Sequence, residues 1–152
     1  MRIDDIRRRL AAAGAKPLHS ERMLRAWTRG MPLDHGPVPA ADFFPAALRA
    51  GLPALGAELD DLARVRAEHP GGDGSVRLLV ELADGQAVES VLLPRNGLCV
   101  STQVGCAVGC RFCMTGRSGL LRQLGSAEIV AQVVLARRRR KVGKVVFMGM
   151  GE

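Results

Sequence analysis

At 152 residues, with 47% apolar and 24% charged side chains, the chain has the composition of an ordinary globular domain with material for one buried core. No apolar run approaches the roughly 18 to 20 residues of a membrane span, and Met1-Arg-Ile-Asp-Asp5 lacks a signal peptide's apolar segment, so the expectation is a cytoplasmic protein with no membrane partner. A net charge of +7 excludes neither a polyanionic partner nor a merely basic, solvated surface.

The first fifty residues read as helical. Ile3, Ile6 and Leu10 recur at helical spacing before Gly14 and Pro17, which predicts a short amphipathic helix. Ser20 is a suitable N-cap for a second helix running through Met23, Leu24 and Trp27 to Gly30, with Arg22, Arg25 and Arg29 on its other sides. A wet helix face accounts for each of these arginines, and Trp27 reads as core; with 3% aromatic residues and no tyrosine, base stacking has few candidates. Pro32, Pro37 and Pro39 exclude regular structure around them, and a third short helix is predicted after Asp42, ending before Gly51 and Pro53.

From Leu62 the apolar period falls to two. Val76, Leu78, Val80 and Leu82 alternate with Arg77 and Glu81, and Asp73-Gly74 and Asp84-Gly85 mark turns at hairpin intervals. Strands are predicted near 62–68, 75–82 and 86–93, making a small antiparallel sheet closed by Pro94 and Asn96-Gly97. Alternation groups Glu89 with Ala87, Val91 and Leu93. It reads either as a carboxylate among apolar neighbours, which favours the protonated form, or as an edge glutamate facing water.

All four cysteines lie between Cys99 and Cys113. Cys106, Cys110 and Cys113 form C-x3-C-x2-C, a spacing that lets one loop turn three sulfurs toward a single point, and Gly105, Gly109 and Gly116 supply permissive backbone. Three thiolates suit a 4Fe-4S cluster with one iron open to a ligand from outside the protein. The alternative is a zinc-stabilised nucleic-acid-binding module drawing on all four cysteines, although zinc sites usually pair two C-x2-4-C knuckles and only one is present. Clustered thiols of this kind favour a reducing compartment.

Leu98 to Thr102 predicts a strand leading into the cysteine loop, which continues from Arg117 to Gly125. Ser126 is a fair N-cap for a helix in which Glu128 complements the dipole and Ile129, Val130, Val133 and Val134 make a buried stripe. The five cations Arg137 to Lys141 fit a dipole-stabilised wet helix end and nucleic-acid phosphate contact equally. Val145 to Met148 reads as a buried parallel strand, with Gly149-Met150-Gly151-Glu152 at its carboxyl end. Strand, helix and strand make a βαβ unit that brings this glycine segment beside the cysteine loop. Glycines let backbone carbonyls approach a ligand closely, and a carboxylate accepts hydrogen bonds from an ammonium group.

C-x3-C-x2-C with Phe112 before the last cysteine is similar to the cluster loop of radical S-adenosylmethionine (SAM) enzymes. The longer string Cys99 to Gly116, with Gly119, Arg122, Leu124, Glu128, Ile129, Gln132 and the closing Gly149 to Glu152, resembles one branch: the methyltransferases of adenine carbon-2 in ribosomal and transfer RNA, with their carbon-8 relatives. The resemblance is strong from Val88 onward and looser before it. It implies an α/β fold, the start of a partial (β/α) barrel at 96–152, preceded by a helical domain at 1–57 that helps hold RNA and a short antiparallel β extension at 58–95. It implies a 4Fe-4S cluster on Cys106, Cys110 and Cys113, and SAM held by Gly151 and Glu152. Glu89 becomes the proton acceptor, Cys99 a transient disulfide partner, RNA the substrate, and a flavodoxin or ferredoxin the reductant.

In the implied mechanism one SAM methylates a carrier cysteine, and a second is cleaved by an electron from the cluster. The adenosyl radical takes hydrogen from that methyl group, and the resulting carbon radical adds to adenine. Glu89 then removes a proton, and Cys99 releases the adduct by thiol exchange. The carrier cysteine is expected far toward the carboxyl end. No cysteine follows Cys113, and two parallel strands do not close a barrel, so the chain is expected to be the front of a longer enzyme, inactive in methyl transfer by itself.

Overall fold

A computed structural model describes residues 1–151. Helix α1 spans Ile3–Ala12 and buries Ile6 and Leu10, and α2 spans Pro17–Thr28 and buries Met23, Ala26 and Trp27. Pro17 is the first residue of α2 and does not terminate α1; its fixed φ and missing N–H suit that position, so Ser20 sits buried inside the helix and caps nothing. Arg22 belongs to no wet face. Its guanidinium donates to the carbonyls of Asp34, His35 and Val38, 2.6 to 3.2 Å away, and stacks over Phe43, tying down the proline-rich segment.

A short α3 (Ala40–Phe43) precedes α4, which runs from Ala46 to Asp61 straight through Gly51 and Pro53. The expected break is absent because Leu48, Leu52 and Leu59, on one face, are all buried in the core, while Gly51 and Pro53 are exposed on another.

Strands β1 (Ala63–Pro70), β2 (Val76–Leu82) and β3 (Ala87–Leu93) form the antiparallel meander. At its turns the Asp73 and Asp84 carboxylates accept from the N–H groups of Ser75 and Gln86 at 3.0 and 3.1 Å. The meander continues without interruption into β4 (Gly97–Cys99), antiparallel to β3 across a loop in which Arg95 and Asn96 have φ of 58° and 63°. Beyond β4 lies a parallel edge strand, Lys144–Val146, which completes a five-stranded mixed sheet. A separate hairpin, β5 (Gln103–Gly105) with β6 (Leu120–Gln123), follows β4, so the Lys144–Val146 strand is β7. The fold is α/β with a mixed sheet. The expected buried strand at 145–148 is cut short: Phe147 is 62% and Met148 79% exposed, past the end of β7 on the sheet's edge.

Helix α5 (Ser126–Arg137) packs against the sheet and against α2. Gly125, and not Ser126, is the N-cap residue; the Ser126 hydroxyl accepts instead from Ile3 N–H at 2.9 Å, and the Glu128 carboxylate accepts from Gly125 N–H at 2.7 Å. The helix has no single apolar stripe. Wedged between two layers, it buries Ala127, Ala131, Gln132, Val134 and Ala136 and leaves Ile129, Val130 and Val133 half-buried. Of the following cations Arg137, Arg138, Arg139 and Lys141 are exposed, as a wet helix end requires, and the four arginines also make specific contacts. Arg137 reaches Thr28 O, Arg138 pairs with Asp60, Arg139 with Glu68, and Arg140 donates to Leu93 O, at 2.6 to 2.8 Å. They bind the end of α5 to α2, α4, β1 and the end of β3.

Candidate active site

The parallel strands β4 and β7 deliver two segments to the same end of the sheet, and backbone pairing continues past both strands. Val100 N–H donates to Val146 O at 3.0 Å, Gly149 N–H to Val100 O at 3.3 Å, and the N–H groups of Thr102 and Gln103 share Met150 O at 2.7 and 3.1 Å. The Thr102 hydroxyl reaches Gly151 O at 3.3 Å. The glycine segment therefore lies against the root of the cysteine loop, as the strand-helix-strand order predicts. Glu152, the expected ammonium acceptor, lies outside the described residues.

The loop itself is mounted on the β5–β6 hairpin, where Cys106 N–H donates to Gly119 O at 3.1 Å. Cys106 and Cys113 are half-buried, Cys110 is exposed, and none of the four cysteines forms a disulfide. Among the described residues, no three His, Cys, Asp or Glu side chains are gathered closely enough to hold a metal ion. The loop's apolar side chains explain why: Val108, Phe112 and Met114 are all exposed, so packing does not draw the thiols together, and in such loops the coordination bonds themselves supply the ordering energy. The donor set nevertheless fits a thiophilic cluster. Three accessible thiols share one short loop, and hydrogen bonds from the Thr115 side chain and backbone and from Gly116 hold the Cys113 thiol below its ordinary pKa.

Glu89 and Cys99 occupy the same face of the sheet. Val91 is paired directly with Cys99, Glu89 lies two residues before Val91, and the alternate residues Val88, Ser90 and Leu92 are buried on the α5 side. Cys99 is buried. The Glu89 side chain is 41% exposed, stands opposite Leu79 across the strands, and pairs with Arg77 at 3.5 Å, so its surroundings are neither wholly apolar nor wholly aqueous. Glu89 is also near enough to Cys113 to oppose ionisation of its thiol. One face thus carries Glu89 and Cys99, with the last cysteine of the loop nearby.

A half-buried ion-pair cluster lies at the foot of the hairpin, with only Glu128 fully buried. Arg122 grips both Glu128 carboxylate oxygens at 3.2 and 2.8 Å and Asp84 at 2.7 Å. Burial pushes the Glu128 carboxyl up, but Arg122 and Gly125 N–H outweigh it and hold the group below the usual carboxylate range. Sequence reading had no access to a second polar cluster beneath the site, formed by Ser90, Ser101 and Gln132, because its members come from β3, the residues after β4, and α5.

No protein-family model matches the chain. Among curated relatives, a probable RNA methyltransferase of Aromatoleum aromaticum is 77% identical over 152 residues, covering all of this chain and 43% of that protein. Another of the same name from Leptothrix cholodnii is 72% identical, with 44% of its length covered, and one from Stutzerimonas stutzeri is 71% identical over 154 residues, with 45% covered. The likeness runs the whole length of this chain. Among solved structures, a radical SAM methyltransferase from Sphaerobacter thermophilus matches all of the chain and 46% of its own, with a TM-score of 0.72 and 38% identity. The chain spans less than half the length of these relatives.

Proposed function

We propose that this chain forms the cluster-binding and part of the SAM-binding portion of a radical SAM RNA methyltransferase acting on an adenine carbon of ribosomal or transfer RNA. The observation that carries the reading is the convergence at the carboxyl end of the β4–β7 pair: the three-cysteine loop, the Gly149–Gly151 segment lying on its root, and Glu89 with Cys99 on one sheet face. The relatives' names and the likeness to a radical SAM methyltransferase support it. The reading divides the chain into a helical domain at 1–57, a β extension at 58–95 and the opening of a partial barrel from 96; the first boundary falls inside α4, whose helix continues to Asp61 before β1 begins.

Cys106, Cys110 and Cys113 would hold a 4Fe-4S cluster. When bound, it supplies the electron for reductive cleavage of SAM, received in turn from a flavodoxin or ferredoxin in the cytoplasm. The Gly151 backbone and the Glu152 carboxylate bind the methionyl end of SAM through its ammonium group. Glu89 accepts the proton that leaves the adenine carbon, and its half-exposed position leaves the carboxylate reachable from solvent. Cys99 acts as a thiol-exchange partner, for which burial protects it from adventitious oxidation. At the helical end, a cleft of about 520 Å³ beside α2 offers RNA the cations Arg25 and Arg29, with His35, Phe43 and Val38, although Glu21 lines it too and pairs with Arg25.

The deciding experiment is anaerobic reconstitution with iron and sulfide. Alanine at Cys106, Cys110 or Cys113 is expected to abolish the brown chromophore, while Cys99→Ala retains it. Equal loss in all four variants would refute the three-thiol site in favour of a centre that uses every cysteine, whereas a parent that binds metal without colour would support zinc.

A further inference from the structure

We propose that Ser101 and Gln132 form a positioning device, buried beneath the site, that fixes the Gly149–Gly151 segment relative to the strand bearing Glu89. The inference rests on the reading of Gly151, at the end of that segment, as a SAM contact. The Gln132 amide is wholly buried, and both its ends are used on Ser101. Its Oε1 accepts from Ser101 N–H at 3.0 Å, and its Nε2 donates to Ser101 O at 2.9 Å. The side chain thus pairs both backbone polar groups of a residue lying just past the end of β4, as a neighbouring strand would. Gln132 Oε1 also accepts from the Ser90 hydroxyl at 2.8 Å.

Held in this way, the Ser101 hydroxyl is aimed in two directions. It donates to Glu89 O at 2.6 Å and accepts from Met150 N–H at 3.0 Å, so one buried oxygen joins the backbone of the candidate base to the middle of the glycine segment. The fit is close: a Cβ on Gly149 would lie 2.7 Å from both Ser101 Oγ and Val100 O, nearer than real Cβ atoms come. Because Ser101 and Gln132 are wholly buried, loss of either side chain leaves its former partners to be satisfied elsewhere, and the segment's cheapest response is to move.

Ser90 provides the control, since its hydroxyl binds the same Gln132 atom but touches neither Glu89 O nor Met150. In the reconstituted chain, Ser101→Ala is expected to speed amide exchange of Met150 at least tenfold by NMR and to weaken SAM binding about 3- to 10-fold, the equivalent of one net hydrogen bond. Ser90→Ala should produce a similar melting-temperature shift with SAM affinity within about twofold of the parent. Equal loss of SAM affinity in both variants, or none in Ser101→Ala, overturns the positioning role. Failure of the parent to bind SAM would refute the functional reading itself; the tie is then judged on exchange, where unchanged Met150 protection in Ser101→Ala overturns it.

Discussion

Two glycines on the cysteine loop allow its mounting to be tested quantitatively. Gly105 and Gly109 both have positive φ, +75° and +64°, so alanine at either position carries the left-handed penalty of about 1 kcal/mol. They differ in surroundings. A Cβ at Gly109 meets nothing within 4 Å, whereas at Gly105 it would lie 2.0 Å from Gly119 O, the acceptor of the Cys106 N–H bond. Relieving that overlap moves backbone by an ångström or more and breaks the bond, adding about 1 kcal/mol for the bond and about 1 more for the strain. The expected costs are therefore about 1 kcal/mol for Gly109→Ala and about 3 for Gly105→Ala, within the total stability of a domain this size. Urea titration of both variants, followed by far-ultraviolet circular dichroism, measures the difference. In thermal melts it corresponds to roughly 4 to 8 °C between them. Equal midpoints would refute the argument that the Gly105–Gly119 approach fixes the loop's root.

Glu128 gives a pH-dependent test. Its pKa is depressed in the folded state, so the stability it contributes is present above its unfolded value and is lost as pH falls through the folded one. Glu128→Gln should be less stable than the parent by about 1 to 3 kcal/mol at pH 7, the difference shrinking below roughly pH 4.5, and a constant gap across the titration would count against the Arg122–Glu128 pair as its source. Replacing Arg138 and Arg139 together by alanine is expected to lower stability by about 0.5 to 2 kcal/mol, since each half-exposed pair contributes little alone, and an unchanged denaturation midpoint would return these residues to the solvent-facing reading. Glu89→Gln in a reconstituted, full-length methyltransferase should retain SAM cleavage, measured as 5′-deoxyadenosine, while methyl transfer to RNA falls by about 10² or more; equal loss of both would remove Glu89 as the proton acceptor.

The sheet was legible because its signals are local. Period-two alternation and the Asp-Gly turns predict strands within two residues of those observed at 63–70, 76–82 and 87–93. The cysteine loop and its adjacency to the glycine segment were legible from spacing and strand-helix-strand order. The misreadings arose where packing overrode local preference. Pro53 and Gly51 argue for a break, yet the leucines of α4 bury enough surface to carry the helix through them. The arginine run carries no local sign of its partners, because Asp60, Glu68, Thr28 and Leu93 are each more than forty residues away. The same separation hides the Ser90–Ser101–Gln132 cluster.

The three-residue loop Pro94–Asn96 lies at the end of β4 opposite the three-cysteine loop, yet it decides which atoms face the site. Its length sets Val91 opposite Cys99 and Leu92 opposite Leu98. Strand side chains alternate, so one inserted residue would exchange the two faces of β4, presenting Leu98 beside Glu89 and turning the Cys99 sulfur toward α5. A lesion of this kind would leave every motif residue in the sequence and still replace a thiol by an isobutyl group where the chemistry is expected. For relatives of this chain, the length of that loop is therefore as informative about competence as the cysteines themselves.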